Sequence, residues 1–189
     1  TDATSTYGDI NTWDTSLITD MTELFYNNQT FNDNISEWNV SSVTTMKSMF
    51  EASSFSQDIG SWDVSSVTDM SWMFHGAVSF NQDISDWDVS SVTKMSFMLH
   101  HAHSFNQDIS DWDVSSVTKM SFMFASTDFN QDISEWDVSS VTTMDNMFDA
   151  TDFSDDNKCA IHNSFSSNDN WPYDWDEYCP EEVFQPETR

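Results

Sequence analysis

Tryptophan recurs along this chain at a nearly constant interval, and that repetition restricts the fold more than any other feature. The spacings between successive members of the series are 25, 24, 25, 25 and 24 residues. The series consists of Trp13, Trp38, Trp62, Trp87, Trp112 and Trp136. A fixed period of this size is typical of stacked units, because each unit must bury its apolar face against its neighbours. The sequence therefore predicts a repeat solenoid of about six coils.

Two apolar patterns of different period recur inside each unit. Trp87 and Val89 are separated by a single residue, which is the period of two of a short strand. Val92, Met95 and Met98 then follow at steps of three, which is typical of a helical turn or a 3₁₀ segment. We expect each coil to run as strand, bend, short helix and return loop.

The repeated phrase, read from Phe80 as FNQDISDWDVSSVTKMSFML, resembles the BspA-type leucine-rich repeat surface proteins. The resemblance covers roughly residues 8 to 153, although the chain has only three leucines, Leu17, Leu24 and Leu99. It implies a leucine-rich-repeat-like right-handed superhelix, with a parallel sheet on one face and short helical turns or 3₁₀ segments on the other. It also implies a secreted or surface-anchored protein linked with adhesion.

The chain divides by pattern into two parts. We predict a repeat array over residues 1–152, with an N-terminal edge at 1–9, followed by a C-terminal cap over 153–189 that covers the last coil. Cys159 and Cys179 are the only cysteines, and two nearby thiols favour a local disulfide over a metal site that needs three or four thiolates. That disulfide would close the cap and would indicate an oxidising compartment.

The charge of the chain limits the classes of partner that it can bind. Five Lys and Arg stand against 33 Asp and Glu, which gives a formal net charge of −28. Such a chain repels phosphate backbones and anionic lipids, so nucleic acid is an unsuitable partner, and no apolar run is long enough for membrane insertion. It attracts cations instead and stays soluble in concentrated salt. We expect an extracellular or cell-surface location in a salty medium that contains Ca²⁺.

Acidic residues alternate with the inward tryptophan and valine, so they are expected to point outward and to stack in columns. Equivalent carboxylates on neighbouring strands would lie ~4.8 Å apart and repel by ~3 kcal/mol at the effective dielectric near a protein surface. A metal cation, or a cationic or hydroxylated ligand, would relieve that repulsion. The predicted ligand-binding residues are Glu37, Asp63, Asp86, Asp88, Asp111, Asp113, Glu135 and Asp137.

Two interpretations of these columns remain open. One is a solvated acidic face, neutralised by diffuse counterions and kept for solubility. The other is a binding face that holds Ca²⁺ between coils, with Asp88, Asp111 and Asp113 as the first candidate metal ligands. No EF-hand loop or glycine-rich calcium repeat occurs, and only three glycines are present, so such a site would need residues from more than one coil.

Other polar columns have simpler explanations. Asp83 and Asp108 precede the inward isoleucine, and a short acid repeated in a loop is expected to bond turn amides. His75 and His100 share one position; neighbouring imidazoles can take Zn²⁺ or Ni²⁺, but an exposed polar turn is the favoured interpretation. The hydroxyl columns, such as that of Thr93, invite comparison with ice-binding surfaces, although the acids beside them suit an ice lattice poorly.

The repetition also argues against catalysis, because a hydrolytic acid pair needs two carboxylates in unlike environments. No Ser-His-Asp arrangement, phosphate loop or dinucleotide motif occurs. We therefore predict an extracellular adhesion or ligand-binding module of a larger surface protein, not an enzyme, whose partner is a cell-surface protein, a peptide or a glycan. A structural spacer without its own ligand is the alternative, ice binding is a weaker one, and a monomer is favoured.

Overall fold

A computed structural model of the chain describes residues 6–180. Three helical elements are bounded in it: the 3₁₀ helix Ile10–Thr12, the α-helix Asp155–Phe165, called α1, and the 3₁₀ helix Asp176–Tyr178. Part of the predicted N-terminal edge, residues 1–5, and part of the predicted cap, residues 181–189, lie outside the described residues. None of the helices in the described part is both long and apolar enough to span a bilayer.

The predicted fold class is wrong. Residues 6–180 contain no β-strand and no sheet, so the chain is not a leucine-rich-repeat-like solenoid with a parallel sheet on one face. Parallel pairing is confined to isolated single-residue bridges between successive coils. The bridged positions are Asp20, Thr45, Asp69, Lys94, Lys119 and Thr143.

The segments predicted as strands form tight turns instead. The amide of Trp87 donates to the carbonyl of Ile84 at 3.2 Å, and the amide of Val92 donates to the carbonyl of Val89 at 2.8 Å. Amides that close turns inside a coil cannot also join a ladder with the next coil. The period of two along Trp-x-Val therefore follows from two consecutive turns, both of which place an apolar side chain inward.

Coils are joined by backbone hydrogen bonds in which every second amide takes part. Met70 donates to the carbonyl of Lys94 at 3.0 Å, and Trp72 donates to that of Ser96 at 3.0 Å. The intervening amides bond inside their own coil, as Met73 does to the carbonyl of Met70 at 3.2 Å. Each coil therefore meets its neighbour through a row of turns rather than through a strand.

This alternation requires left-handed backbone at two positions in a coil. Trp72 has a φ of 64° and Gly76 a φ of 67°, and the equivalent residues of the next coil, Phe97 and His101, both have a φ of 59°. Left-handed residues recur after right-handed ones, so the chain cannot continue as a right-handed helix. The steps of three along Val-x-x-Met-x-x-Met thus correspond to successive turns rather than to a continuous helix.

The core consists of stacked columns to which each coil contributes one side chain. Phe50 and Phe74 stack with ring centroids 5.6 Å apart and an interplanar angle of 7°, and Phe124 and Phe148 repeat the arrangement at 5.8 Å. In the coil that begins at Ile84, the buried members are Ile84, Trp87, Val89, Val92, Met95, Met98, Leu99, Ala102 and Phe105. Burial of large aromatic and sulfur-containing side chains replaces the leucines of ordinary repeats.

From the second coil onward, the tryptophan of each coil also ties that coil to the preceding one. Nε1 of Trp87 donates to the carbonyl of Ile59 at 3.1 Å, and Nε1 of Trp112 donates to that of Ile84 at 3.1 Å. The carbonyl of Ile59 accepts the amide of Trp62 in its own turn as well. One carbonyl in a coil therefore serves two tryptophans, which explains why the spacing between tryptophans is held so closely.

The residues after the last coil pack against it. The predicted disulfide between Cys159 and Cys179 is confirmed, and it links α1 to the residue that follows the second 3₁₀ helix. The hydroxyl of Tyr173 accepts the amide of Phe148 at 2.8 Å, and the side-chain amide of Asn168 donates to the carbonyls of the last coil. One apolar core runs through both parts, and the division at residue 152 stays a prediction.

Candidate functional site

The acid columns lie on the surface as two rows along the stacked coils. Every member of the predicted ligand-binding set is solvent-exposed, and the side chains flank the buried tryptophan of each coil. The set comprises Glu37, Asp63, Asp86, Asp88, Asp111, Asp113, Glu135 and Asp137. We call this surface the acid face; its role in binding stays a prediction.

The central column of the acid face is fixed by its own turns. Oδ1 of Asp113 accepts the amide of Ser115 at 3.0 Å and its hydroxyl at 2.6 Å. Asp88 makes the same pair of bonds at 3.1 and 2.6 Å. Asn39, which occupies the column in an earlier coil, also accepts both groups through Oδ1. These bonds hold each side chain in one orientation and do not involve Oδ2.

The same kind of bond favours the ionised form of Asp63 and Asp113. The hydroxyl of Ser65 and, after it, the amide of Ser65 lower the pKa of Asp63 below its ordinary value. Ser115 lowers the pKa of Asp113 in the same way, against a smaller opposing effect of the Asp137 charge. Hydrogen bonds donated to a carboxylate favour its charged form. Asp63 and Asp113 therefore stay ionised at lower pH than an ordinary aspartate does.

A further acid column, that of Asp83 and Asp108, lies outside the acid face and makes the same kind of bonds one turn earlier. Oδ1 of Asp83 accepts the amide of Ser85 at 3.0 Å and its hydroxyl at 2.7 Å, and these bonds lower the pKa of Asp83. Oδ1 of Asp108 accepts the amide of Ser110 at 3.0 Å. This arrangement matches the turn-forming role that the sequence pattern favours for these acids.

The column of Asp83 and Asp108 meets the column of Asp86 and Asp111 in shallow hollows between coils, which the sequence pattern did not reveal. One hollow, of about 300 Å³, is lined by Asp58, Gly60, Ser61, Asp83 and Asp86. The next, of about 220 Å³, is lined by Asp83, Ser85, Gln107, Asp108, Ser110 and Asp111. Three acids therefore surround each hollow, and Asp83 belongs to both. One sequence feature could have indicated the hollows. Asp83 and Asp86 are three residues apart, on either side of one turn, and the next coil repeats this spacing.

A ready three-ligand group for a cation lies elsewhere. Within residues 6–180, one group of three His, Cys, Asp or Glu side chains has its metal-binding atoms within 4.8 Å of one another. Its members are His162, Asp174 and Asp176. Asp88, Asp111 and Asp113 are not gathered into such a group. Their part in binding Ca²⁺ stays a prediction, and it would need oxygen atoms from a ligand or from water.

The group around His162 is better suited to holding the structure together than to holding a metal ion. Nε1 of Trp171, which can only donate, lies 3.0 Å from Nδ1 of His162. Nδ1 is therefore the acceptor, and the proton lies on Nε2, which is 2.9 Å from Oδ1 of Asp176. A metal ion would need the lone pair of Nε2. The chain of Trp171, His162 and Asp176 instead links α1 to the second 3₁₀ helix.

Histidine and aromatic side chains form a separate strip on another surface. His75 and His100 stack with ring centroids 4.9 Å apart, and His100 stacks on His101 at 4.0 Å. Trp72 and Phe97 lie beside them with centroids 4.0 Å apart. His75 and His100 are half-buried rather than fully exposed, and the described residues place no third metal-binding atom within range of them.

His100 differs from the other histidines of that strip in its hydrogen bonding and its pKa. Its Nδ1 is buried without a hydrogen-bond partner among the described residues. Burial, followed by the neighbouring His101 and His75, lowers the pKa of His100 to about 4. The imidazole is therefore neutral at ordinary pH.

The hydroxyls of the threonine column donate hydrogen bonds from one coil to the preceding one. Oγ1 of Thr93 donates to the carbonyl of Thr68 at 3.1 Å, and Oγ1 of Thr118 donates to that of Thr93 at 3.1 Å. Hydroxyls used in this way are not a free flat array. This geometry favours a structural role for the column over ice binding.

Comparison with known proteins identifies a family. The family model described as "Mycoplasma protein of unknown function, DUF285" matches residues 1–104 and residues 82–170. The resemblance to BspA-like repeats is confirmed at this level, but the particular repeat pattern is not. No curated protein and no solved structure matches the chain.

Proposed function

This chain belongs to the DUF285 family, and from that premise we propose that it is an extracellular adhesion or ligand-binding repeat module of a larger surface protein. Its partner is a glycan, a peptide or a cell-surface protein, which it contacts through the acid face. It is not an enzyme, it binds no nucleic acid, and it acts as a monomer. The observation that carries the proposal is the regular, exposed and orientated row of carboxylates.

Orientation matters because it lowers the entropy lost on binding. A free aspartate must give up rotamer freedom when it contacts a ligand, whereas Asp88 and Asp113 are already held by Ser90 and Ser115. Because these bonds use Oδ1, Oδ2 remains for a hydroxyl, an amine or a metal ion. A ligand with groups repeated at the spacing of the coils would meet several such oxygens at once.

In this proposal calcium acts as a bridge between the protein and its ligand. Ca²⁺ takes six to eight oxygen ligands at ~2.3–2.6 Å. Asp83, Asp108 and Asp111 line one hollow, but within residues 6–180 they are not among the groups of three whose ligand atoms lie within 4.8 Å of one another, so these side chains do not complete the shell. Hydroxyls of a glycan or water would provide the remainder. The proposal includes Ca²⁺ as a cofactor that increases affinity for the ligand, with Asp88, Asp111 and Asp113 of the acid face as its first candidate ligands. Of these three, Asp111 also lines the hollow.

The test replaces Asp63, Asp88 and Asp113 together by asparagine. Asn39 already forms the same turn in this chain, so the substitutions should leave the fold intact while they remove three charges. We expect binding to a glycan array and to cell surfaces to be lost, and a saturable calorimetric titration with Ca²⁺ to weaken. Unchanged binding in this variant would show that the acid face is not the binding surface.

A matched control separates the effect of position from that of charge. Asp128, Asp145 and Asp152 are exposed acids outside the acid face. Their replacement by asparagine changes the net charge by the same amount. Binding should persist in this control, and an equal loss in both variants would indicate a general charge effect.

The structural spacer is the second candidate, and one observation favours it. Each carboxylate of the central column already has a use in its own turn, as Asp137 has with the amide of Ser139 at 2.9 Å. On this alternative the asparagine variant changes only solubility and thermal stability. Calcium would then give heat without saturation, as a diffuse counterion does.

A further inference from the structure

The first coil, residues 10–34, exposes side chains that every later coil buries. Trp13, Ile18 and Leu24 are 43%, 42% and 48% exposed. Their equivalents 25 residues later, Trp38 and Val43 among them, are 6% and 0% exposed. The columns of the core therefore continue to the surface at this end.

A hollow of about 600 Å³ opens on the same end. Its lining includes the apolar side chains of Trp13, Leu24, Phe25, Phe31 and Trp38. The lining is mostly apolar and comes from two coils. It has the composition of an interface between coils rather than that of a solvated surface.

A row of backbone carbonyls lies in the same coil as this hollow, and Leu24 belongs to both the row and the lining. In the second coil, four carbonyls accept amides of the first coil at 2.7–3.0 Å, those of Thr45, Lys47, Met49 and Glu51. Their counterparts in the first coil are the carbonyls of Asp20, Thr22, Leu24 and Tyr26. Within residues 6–180 no hydrogen bond reaches these four carbonyls. We call this row, with the exposed columns beside it, the acceptor face.

The direction of the hydrogen bonds defines what the acceptor face can bind. Along this part of each coil, the amides of the earlier coil donate to the carbonyls of the later one, so the first coil offers acceptors. The threonine column runs the other way, because the amide of Thr44 donates to the carbonyl of Thr19 at 2.8 Å. The amide of Thr19 is therefore a donor on the same face. A partner must present four amides and one carbonyl in the matching order.

We propose that the acceptor face docks a further coil of this same repeat, one whose row of amides is uncovered. A second copy of this chain does not qualify. Two acceptor faces would set carbonyls against carbonyls, and the opposite end of the stack is closed, since Phe148 donates its amide to Tyr173. Burying carbonyls without hydrogen-bond donors is unfavourable, so the polarity of the row decides the partner.

The experiment supplies such a coil within the full chain. A copy of residues 84–108 is inserted between Asp9 and Ile10, which keeps the Asp-Ile step on both sides of the insert. The copied amides then face the four carbonyls in register. We expect the midpoint of thermal unfolding to rise by at least about 4 °C. The amide of Thr19 should exchange with solvent more slowly, because the copied Thr93 offers it a carbonyl.

Two controls make the result specific. A glycine-serine insert of equal length at the same point should produce neither change. The double variant Ile18→Ser and Leu24→Ser should lower the midpoint of thermal unfolding only a little in the original chain, where both side chains are exposed. The same double variant should lower it much more in the extended chain. Equal losses in the two backgrounds, or no protection of Thr19, would overturn the proposal.

Sedimentation of the original chain tests the polarity argument separately. It should remain monomeric up to its solubility limit at high salt, where charge repulsion is screened. A dimer that dissociates when Leu24 is changed to Ser would show that two acceptor faces can pair, and would overturn the choice of partner.

Discussion

At the scale of single residues, the tryptophan column contributes both apolar area and a hydrogen bond between coils. Trp87 is 3% exposed, and its indole N–H reaches the carbonyl of Ile59 in the preceding coil. That carbonyl has a second donor in its own turn, so loss of the indole does not leave it wholly unpaired. The contribution of the N–H is therefore that of an ordinary buried hydrogen bond.

Trp87→Phe should lower the free energy of unfolding by about 2 kcal/mol, because it removes this bond and leaves a small cavity. Trp13→Phe is the matched control, since Trp13 is 43% exposed and its N–H bonds the carbonyl of Tyr7 near the end of the stack. Urea unfolding of both variants measures the difference. Similar losses would show that the indole does not join buried coils.

His100 makes stability depend on pH. Its pKa falls from an ordinary 6.5 to about 4 in the folded chain. Between these values the unfolded chain binds more protons than the folded one, so stability decreases as the pH falls through that range. The groups around the ring are His75, His101, Phe97 and Phe122, none of which is a carboxylate that could stabilise the imidazolium.

His100→Ala should therefore make the unfolding midpoint less sensitive to pH between 6.5 and about 4. The substitution suits the backbone, because Ala125 occupies the equivalent position in the next coil. Comparing the two proteins cancels the titration of the carboxylates, which both share. His103→Ala, at an exposed position, serves as the control, and an equal change in both variants would argue against His100 as the source.

At the scale of elements, the C-terminal segment supplies groups that a further coil would otherwise supply. Tyr173 takes the amide of Phe148, and Asn168 donates to the carbonyls of Val138 and Val141. α1 contributes Ile161 and Phe165 to the common core. Side chains thus replace the backbone of a neighbouring coil at this end.

Replacing Cys159 and Cys179 by serine should lower the free energy of unfolding by ~3 kcal/mol, since the disulfide closes a loop of 20 residues in the unfolded chain. Chemical unfolding with and without the substitutions measures this. Amide exchange of Phe148 reports whether the segment still docks. Unchanged exchange with reduced stability would place the whole effect in the unfolded state.

At the scale of the whole molecule, charge repulsion opposes folding. The net charge is −28, and an ion pair that relieves it joins Lys94 to Asp69 at 3.0 Å. Stacking brings like charges from successive coils together along the acid face. Exposed pairs such as this one contribute little.

Added NaCl should raise the midpoint of thermal unfolding, because the screening length shortens from ~10 Å at 0.1 M to ~3 Å at 1 M. CaCl₂ at equal ionic strength should raise it further only if Ca²⁺ is bound in the folded state. The asparagine variant of Asp63, Asp88 and Asp113 should respond less to both salts. A midpoint that falls with NaCl would show that attraction between charges outweighs repulsion.

The sequence by itself determined the period, the inward columns, the outward acids and the pair of cysteines. These features follow from residue types that recur at fixed positions. Trp87 and Asp88, for example, have the same residue types at the equivalent positions of the next coil. The predicted acids are therefore exposed as a regular face. Their meeting with Asp83 and Asp108 in hollows was not predictable without the turn that brings the columns together.

Only the tertiary structure decided that the coils form turns and not a parallel sheet. The spacing of Trp87 and Val89 is the same in a strand and in two consecutive turns, so periodicity cannot distinguish them. The choice depends on where backbone amides find acceptors. Asp83 and Asp88 capture nearby amides within the coil, and the remaining amides reach a neighbouring coil only once the coils are stacked.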